Sequence, residues 1–324
     1  AIIGVISACS YFINEKDEAV RAVVFIASCK GISLKQNLKV IFYITMIGCM
    51  ALIMLSVAGI FGAMSVTADY GREAIETRYT LGMGHPNALH CMIWMVITLE
   101  MYVYDSSMKW YHYLLCMMIN IATYLLTNSN TGMMLATAMI LVVIVLHYIP
   151  LLQKAPWVYA AGAMVVIACI GFSVYGAYAG NGWNDSNTFM YKLDKVLNGR
   201  YEYCYKVEAA RLSNWKIFAA PENTEYFDAG FVRAFYWYGI IPGILYGLMH
   251  IYLIWQSFKH KDYVLLVMVV AFAVYHLMEA HFVSVYLLRN YLLVCMGYYW
   301  YQPFMKYQES AGYLWQIKKL LGKA

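Results

Sequence analysis

Apolar stretches separated by short polar links make up most of this chain. Several stretches reach the roughly 18–20 residues that a helix needs to cross a bilayer. The pattern predicts membrane-spanning helices near residues 1–13, 19–29, 38–63, 86–104, 109–127, 131–150, 157–177, 231–256, 262–280 and 283–302. Two links are longer than the others, at residues 64–85 and 178–230. We therefore predict one all-α, polytopic transmembrane domain over residues 1–324, with a long, partly helical external loop at 178–230.

The composition also indicates a membrane protein. Hydrophobic residues make up 62% of the chain and charged residues 13%, compared with roughly 25% charged residues in soluble domains. The eight cysteines predict neither a disulfide framework nor a metal site, because all but Cys204 lie in apolar stretches. The chain begins at Ala1, and its first two apolar stretches are short, so we expect that one or more helices precede them. No basic segment precedes the first stretch, which disfavours a signal peptide.

Lysine and arginine are distributed differently along the links. If the Lys-rich C-terminal tail is cytoplasmic, the alternation of spans gives the cytoplasmic links several lysines and no arginine. Both longer links then lie outside. All seven arginines lie on or near this outer side: Arg21, Arg72, Arg78, Arg200, Arg211, Arg233 and Arg289. The planar arginine fork matches phosphate bidentately, so their placement indicates a phosphate site, with ordinary surface ion pairs as the alternative.

The long loop contains a segment that is dense in charge, "NGRYEYCYKVEAARLSNWK" at residues 198–216. A helix over this segment would place Arg200 and Arg211 about three turns apart on one stripe. Glu202 and Lys206 would form a supporting i,i+4 pair. The alternative is an amphipathic helix that lies on the bilayer surface.

Five segments together resemble one protein family. The first is "LNGRYEYC" (197–204), which resembles the "SGR" segment in the large external loop of Wzy-type polysaccharide polymerases, members of the O-antigen polymerase/ligase superfamily. The second is "FDAGFVRAFYWYGIIPGILYG" (227–247), which resembles the pattern that opens the span after that loop. The others resemble motifs at further span ends of the family: "GMGHPNALH" (82–90), "LTNSNTGMMLAT" (126–137) and "EAHFVSVYLLRNYLL" (279–293). The resemblance covers most of the chain from about residue 60 onward.

The chain departs from the family pattern at three points. Asn130 stands where the "S-R-T-G" motif has Arg, and Ala229 stands where Asn is common. The chain has no histidine between His147 and His250, whereas a histidine in the long loop is a usual catalytic candidate in the related ligases. The missing loop histidine disfavours a ligase.

The resemblance implies a GT-C-like fold of the O-antigen polymerase type, and an activity. A growing glycan on polyprenyl diphosphate, such as undecaprenyl diphosphate, would be transferred onto a sugar hydroxyl of a new lipid-linked repeat unit. The reaction would occur at the outer face of the cytoplasmic membrane and would make O-antigen, capsule or exopolysaccharide. The implied partners are the lipid-linked donor and acceptor, membrane lipids, a flippase and a chain-length regulator, with no nucleic acid. We expect no cofactor, and because the chain has no D-x-D tract, we expect arginine in place of a metal.

Such a reaction needs a clamp for the diphosphate leaving group and a base for the acceptor hydroxyl. For the clamp we predict Arg200 and Arg211 first, and then Arg78, Arg233 and Arg289. For the base we predict Asp228 and Glu279. Each carboxylate also has a structural alternative: Asp228 suits a helix N-cap, and Glu279 suits a pair with Arg289 or His276.

Four further residues are predicted to position the substrate: His85, Asn87, Asn130 and Tyr203. His85 and the turn that contains Asn130 suit helix starts equally well, and Tyr203 also suits a membrane-interface ring. The same residues leave two other functions open, namely a ligase that uses another acceptor and a transporter of lipid-linked sugars. A transporter would more often show broken helices or paired repeats around a midplane site.

Overall fold

The protein is described by a computed structural model. It describes residues 2–29, 31–68, 75–178, 188–197, 199–207, 211–281, 283 and 290–302. The helices are α1 (Ile2–Asn14), α2 (Glu18–Ser28), α3 (Leu34–Val57), α4 (Pro86–Tyr104), α5 (Trp110–Thr127), α6 (Asn130–Tyr148), α7 (Pro150–Lys154), α8 (Pro156–Tyr178), α9 (Phe189–Val196), α10 (Arg200–Lys206), α11 (Gly230–Tyr238), α12 (Ile240–His260), α13 (Tyr263–Tyr275) and α14 (292–302). The chain is therefore predominantly helical, as the sequence predicts.

Within these described residues, four helices are long and apolar enough to cross a membrane: α3, α6, α8 and α12. The apolar helix α13 and the segment Gly4–Asn14 are shorter. Helices α4 and α5 reach 19 and 18 residues, and they carry more polar side chains, among them His90 and Asn120. These helices support an all-α membrane protein.

Two of the predicted spans differ from the helices in the structure, one by an interruption and one by an earlier end. The stretch 231–256 was predicted as one span, and it forms two helices, α11 and α12, which are separated at Gly239. The φ of Gly239 is 100°, and a Cβ atom there would lie 2.5 Å from the Phe218 backbone, so the break needs glycine. The span predicted at 262–280 ends as a helix at Tyr275, and the chain turns at residues 276–278. This early end leaves Glu279 outside the helix.

The link at 64–85 contains an antiparallel hairpin that the sequence did not predict. Strands β1 (Ser65–Ala68) and β2 (Glu76–Tyr79) pair with Val66 opposite Arg78. The hairpin is tied to the end of α5, because the amide of Asn128 donates a hydrogen bond of 2.9 Å to the carboxylate of Glu76.

Contacts between helix ends define two faces of the bundle. On one of them, which we call the site face, Asn87 at the start of α4 contacts Glu279 after α13. Lys16, between α1 and α2, donates to the carbonyl of Asn223 in the long loop at 2.6 Å. The hairpin belongs to the same face.

The opposite face joins the other ends of the same helices. Tyr102, near the end of α4, donates a 2.8 Å hydrogen bond to Asp262 at the start of α13. His147, near the end of α6, lies 3.2 Å from Asp105 after α4. The predicted alternation of spans across a membrane stays a prediction. The assignment of the site face to the outside of the membrane stays a prediction.

Inside the bundle, buried polar side chains join neighbouring helices. His90 on α4 contacts Thr127 and Asn120 on α5 at 3.1 and 2.9 Å. Asn290, before α14, donates a 2.7 Å hydrogen bond to the hydroxyl of Tyr246 on α12. Such bonds satisfy polar groups that lipid cannot hydrate.

The long loop has an apolar core of its own, packed on the ends of α8 and α11. Tyr201 and Cys204 of α10 are fully buried in this core, and Trp215 stacks on Phe235 of α11 with ring centroids 4.9 Å apart. The predicted helix over 198–216 is wrong, because α10 ends at Lys206. The predicted supporting pair is confirmed, with Lys206 Nζ 2.9 Å from Glu202. This core docks α10 and the segment around Trp215 on the bundle.

Candidate active site on the site face

The guanidinium of Arg200 lies between two carboxylates that come from distant parts of the chain. Its Nη1 donates to Oδ2 of Asp228, and its Nη2 donates to Oε1 of Glu279 at 3.2 Å. The side chain of Glu279 is almost fully buried, whereas those of Arg200 and Asp228 are about one quarter exposed. One cation thus bridges a buried and an accessible carboxylate, and the cluster opens to solvent on the Asp228 side.

Glu279 is held by further polar groups. The amide of Asn87 donates a 2.8 Å hydrogen bond to its Oε1, and His281 Nδ1 lies 3.6 Å from its Oε2. Burial, followed by the negative charge of Asp228, raises the pKa of Glu279 to about 8. The cation of Arg200 and the Asn87 hydrogen bond oppose this rise. A carboxyl group with this pKa can exchange a proton near neutral pH.

His85 borders the same cluster. Its Nδ1 accepts a hydrogen bond from the backbone N–H of Asn87 at 3.2 Å and caps α4. Burial lowers its pKa, and the charges of Asp228, Arg78 and Arg200 act on it as well. The predicted helix-start role of His85 is confirmed, and the residue also forms part of the wall of the site.

A close backbone approach brings Asp228 beside Glu279. The N–H of Gly230 donates a 2.7 Å hydrogen bond to the carbonyl of His276. A Cβ atom at Gly230 would lie 2.9 Å from the carbonyl oxygen of Glu279, so a larger residue would separate the two segments. Asp228 does not cap α11, because Ala229 occupies the N-cap position. The capping alternative for Asp228 is therefore excluded.

Glu279 does not pair with His276, one of the two structural alternatives given for it. Its carboxylate contacts Arg200, Asn87 and His281. The ring of His276 instead hydrogen-bonds Tyr246 through Nε2 at 2.7 Å. Arg289, the other partner weighed for Glu279 and a predicted clamp, lies outside the described residues.

Asp194 positions Arg200, and the sequence did not single it out. Its two carboxylate oxygens accept hydrogen bonds from the backbone N–H groups of Tyr201 and Glu202 at 2.9 and 2.8 Å. These N–H groups belong to the first turn of α10, which begins at Arg200, and the first turn of a helix has no internal partners for them. The Tyr201 hydroxyl, 2.9 Å from Ser173 on α8, fixes the other side of α10.

We expect Asp194→Ala to destabilise the protein by about 1–2 kcal/mol, because two buried N–H groups would lose their acceptors. Thermal unfolding in nanodiscs measures this loss, and limited proteolysis should show faster cleavage near α10. Asp17→Ala is the control, since Asp17 forms an exposed i,i+4 pair with Arg21 and should change stability by less than about 0.5 kcal/mol. Equal effects of the two substitutions would contradict the positioning role of Asp194.

The other predicted arginines occupy different environments. Arg78 is buried and pairs with Glu76, with Nη2 2.7 Å from Oε2. Arg233 is fully buried, and its guanidinium lies between the rings of Tyr226 and Trp237, with centroids 3.7 and 3.8 Å from Cζ. This double cation–π contact fixes the loop to α11. Arg211 follows the break after α10, so it does not continue the predicted stripe from Arg200.

The remaining predicted positioning residues lie on the surface. Tyr203 on α10 is about half exposed, so its ring is accessible. Asn130 is exposed at the first position of α6, where the side chain of Ser129 accepts from the Gly132 N–H, which confirms the capping interpretation of that turn. Among the described residues, no group of three or more His, Cys, Asp or Glu side chains is arranged to hold a metal ion.

Neither a family model nor a curated protein nor a solved structure matches this chain. The family resemblance of the sequence therefore stays a prediction. The geometry of the site carries the functional argument.

Proposed function

We propose that this protein is a membrane glycosyltransferase that polymerises polyprenyl-diphosphate-linked oligosaccharide repeat units at the outer face of the cytoplasmic membrane. The observation that carries the proposal is the Arg200 fork, which bridges Asp228 and Glu279 where helix ends meet the surface. A guanidinium next to a carboxyl group with a raised pKa offers both an anion clamp and a proton acceptor in one cluster. The segments that supply these residues are among those that resemble the polymerase family.

The two carboxylates hold Arg200 without exhausting its donors. Its two Nη atoms contact Asp228 and Glu279, whereas its Nε is buried and has no hydrogen-bond partner among the described residues. Each Nη nitrogen carries a second N–H, so on the open, Asp228 side of the cluster the guanidinium can also donate to phosphate oxygens. A diphosphate that replaces one carboxylate contact would therefore leave that carboxylate free to accept a proton.

The proposed step forms one bond and breaks one. The acceptor hydroxyl oxygen attacks the anomeric carbon of the donor glycan, and the bond from that carbon to the diphosphate oxygen breaks. The electron pair leaves with the diphosphate, where Arg200 stabilises the developing charge. The hydroxyl proton moves to Glu279, whose pKa lies close to the operating pH.

An assay with purified protein tests this function. We expect a polyprenyl-diphosphate-linked repeat unit, incubated with EDTA, to yield a ladder of lengthening lipid-linked glycans. Transfer of one preformed polymer to a different acceptor, without a ladder, would indicate a ligase. Movement of the intact lipid-linked unit across a vesicle membrane, with no new glycosidic bond, would refute the polymerase and support a transporter.

The proposed orientation, with a cytoplasmic C-terminus, predicts which face reacts from outside the cell. Cys9 is exposed and the other seven cysteines are buried. The Cys9→Ser variant should therefore react little with a maleimide and serves as the starting protein. We expect Tyr203→Cys, on the site face, to react with a membrane-impermeant maleimide in intact cells. Leu151→Cys, on exposed α7 at the opposite face, should react only after the membrane is opened. The reverse result would contradict this orientation.

A further inference from the structure

A groove lies beside the site cluster, between strand β2 and the last turn of α5. Its volume is about 470 Å³, within the roughly 300–1,000 Å³ that small-molecule sites occupy. Its polar wall contains Glu76, Thr77 and Asn128. Asn128 ends α5 in the left-handed conformation, which turns its amide toward the hairpin.

The rest of the lining is aromatic and aliphatic. The rings of Tyr79 and Tyr124 face the groove, and so do Leu125 and Leu126 in the last turn of α5. Leu125 is three quarters exposed, which is the expected exposure for a side chain in contact with lipid. The groove lining therefore combines a polar part with an aromatic and aliphatic part at the end of α5.

These groups match the chemistry of a sugar on a lipid. Carboxylate and amide groups bind pairs of sugar hydroxyls, and the apolar C–H faces of a sugar ring pack on tyrosine rings. The adjacent leucines suit an aliphatic chain at the bilayer boundary.

The charge of the lining selects against anions. Among the described residues, the groove lining includes one carboxylate, Glu76, and no Lys, Arg or His. The cation that balances Glu76 is Arg78, which is buried and contributes no lining surface. In the described lining, a phosphate or a uronic acid would therefore meet this carboxylate and no cationic side chain.

Arg78 pairs with the groove wall, and its charge also acts on a residue that borders the site cluster. Its guanidinium holds Glu76, with Nε 2.9 Å and Nη2 2.7 Å from Oε2. The charge of Arg78 also acts on His85, which borders Arg200 and Asp228.

We propose that the groove between β2 and α5 binds a neutral saccharide that carries an aliphatic anchor. In the reaction described above, this saccharide would be an uncharged sugar of the lipid-linked substrate. That assignment rests on the proposed function, whereas binding of a neutral glycolipid does not. Binding and activity can therefore fail separately.

The test uses a diazirine-bearing octyl glucoside as the probe, with the full-length protein in nanodiscs. Photolabelled peptides are mapped by mass spectrometry. We expect labels within residues 76–79 and 124–128, with about tenfold more free octyl glucuronide than octyl glucoside needed to compete. Tyr124→Ala should reduce this labelling about tenfold, and Tyr124→Phe should retain it, because the ring supplies the stacking surface.

Tyr111→Ala is the matched control, since Tyr111 is an exposed tyrosine at the other end of α5. Unchanged thermal unfolding of Tyr124→Ala would show that the groove variant folds. Labelling that octanol competes as well as octyl glucoside would overturn the proposal in favour of ordinary lipid contact, as would equal competition by the glucuronide. Labelling of the groove in the wild-type protein, together with no glycan ladder from that same protein, would retain the groove and refute the polymerase.

Discussion

Replacing Arg200 by lysine should lower the rate of glycan elongation about 10²–10³-fold, the loss that follows removal of one transition-state donor in other enzymes. Lysine keeps the charge but concentrates its three donors on one nitrogen. It cannot contact Asp228 and Glu279 and also present two parallel N–H groups to a phosphate. The measurement is the initial rate of ladder formation, with lipid-linked substrate at saturation and below it.

The control for Arg200→Lys is Arg21→Lys on the same face. Arg21 makes an exposed i,i+4 pair with Asp17 at 2.7 Å, so its substitution should leave the rate within about twofold, since such pairs contribute little. Thermal unfolding of both variants shows whether the fold is retained. If folded Arg200→Lys elongates glycans at more than about one third of the wild-type rate, another group must hold the leaving diphosphate.

Glu279→Gln should lower the elongation rate about 10²–10⁴-fold, the contribution that a positioned general base usually makes. It should also change the shape of the pH profile. In the wild-type protein, burial and the charge of Asp228 raise the pKa of Glu279 to about 8. The unprotonated form accepts the proton, so activity should rise with pH and level off above about 8. The glutamine variant should lose this rise.

Asp228→Asn tests which of the two carboxylates, Asp228 or Glu279, is the general base. Removal of the negative charge of Asp228 removes one of the causes that raise the pKa of Glu279, so the rise in activity should move to lower pH. Glu202→Gln serves as the control, because Glu202 pairs with Lys195 and Lys206 away from the cluster. A pH profile that Glu279→Gln leaves unchanged, and that Asp228→Asn abolishes, would identify Asp228 as the base.

The same pKa shift links the stability of the protein to pH. The folded protein holds the Glu279 proton up to about pH 8, whereas the ordinary pKa of the group is 4.5. Between these values the folded state binds more protons than the unfolded state, so the free energy of unfolding falls as pH rises. The contribution is fully present below pH 4.5 and is lost through about pH 8. Glu279→Gln should remove this part of the pH dependence in thermal unfolding.

The pattern of apolar residues along the sequence predicted the long apolar helices well. The predicted span at 157–177 corresponds to α8 (Pro156–Tyr178), and that at 131–150 to α6 (Asn130–Tyr148), because a long apolar run in a membrane has few alternatives to helix. The same pattern failed where a backbone contact with a distant segment interrupts a helix. The break at Gly239 depends on the Phe218 backbone of the long loop, which no local window contains.

Candidate residues were predictable by type, but their grouping was not. Arg200, Asp228 and Glu279 were each singled out from charge in an apolar chain and from family resemblance. The same reasoning also offered Arg233 as a second-choice clamp, although it lies between two aromatic rings, and it passed over Asp194. The roles of Arg233 and Asp194 were missed for the same reason. Sequence periodicity shows only which residues are neighbours on one helix, whereas these contacts join segments of the long loop to other parts of the fold.

The sequence by itself determined that this is an all-α membrane protein with a charged loop, because apolar composition and span length alone decide which segments suit a bilayer. The tertiary structure decided which charged and polar side chains contact one another. Residues 87, 200, 228 and 279 come together because the loop core docks α10 on the bundle and Gly230 allows the turn after α13 to approach. Such long-range packing depends on the shape of the whole fold, and no single segment encodes it.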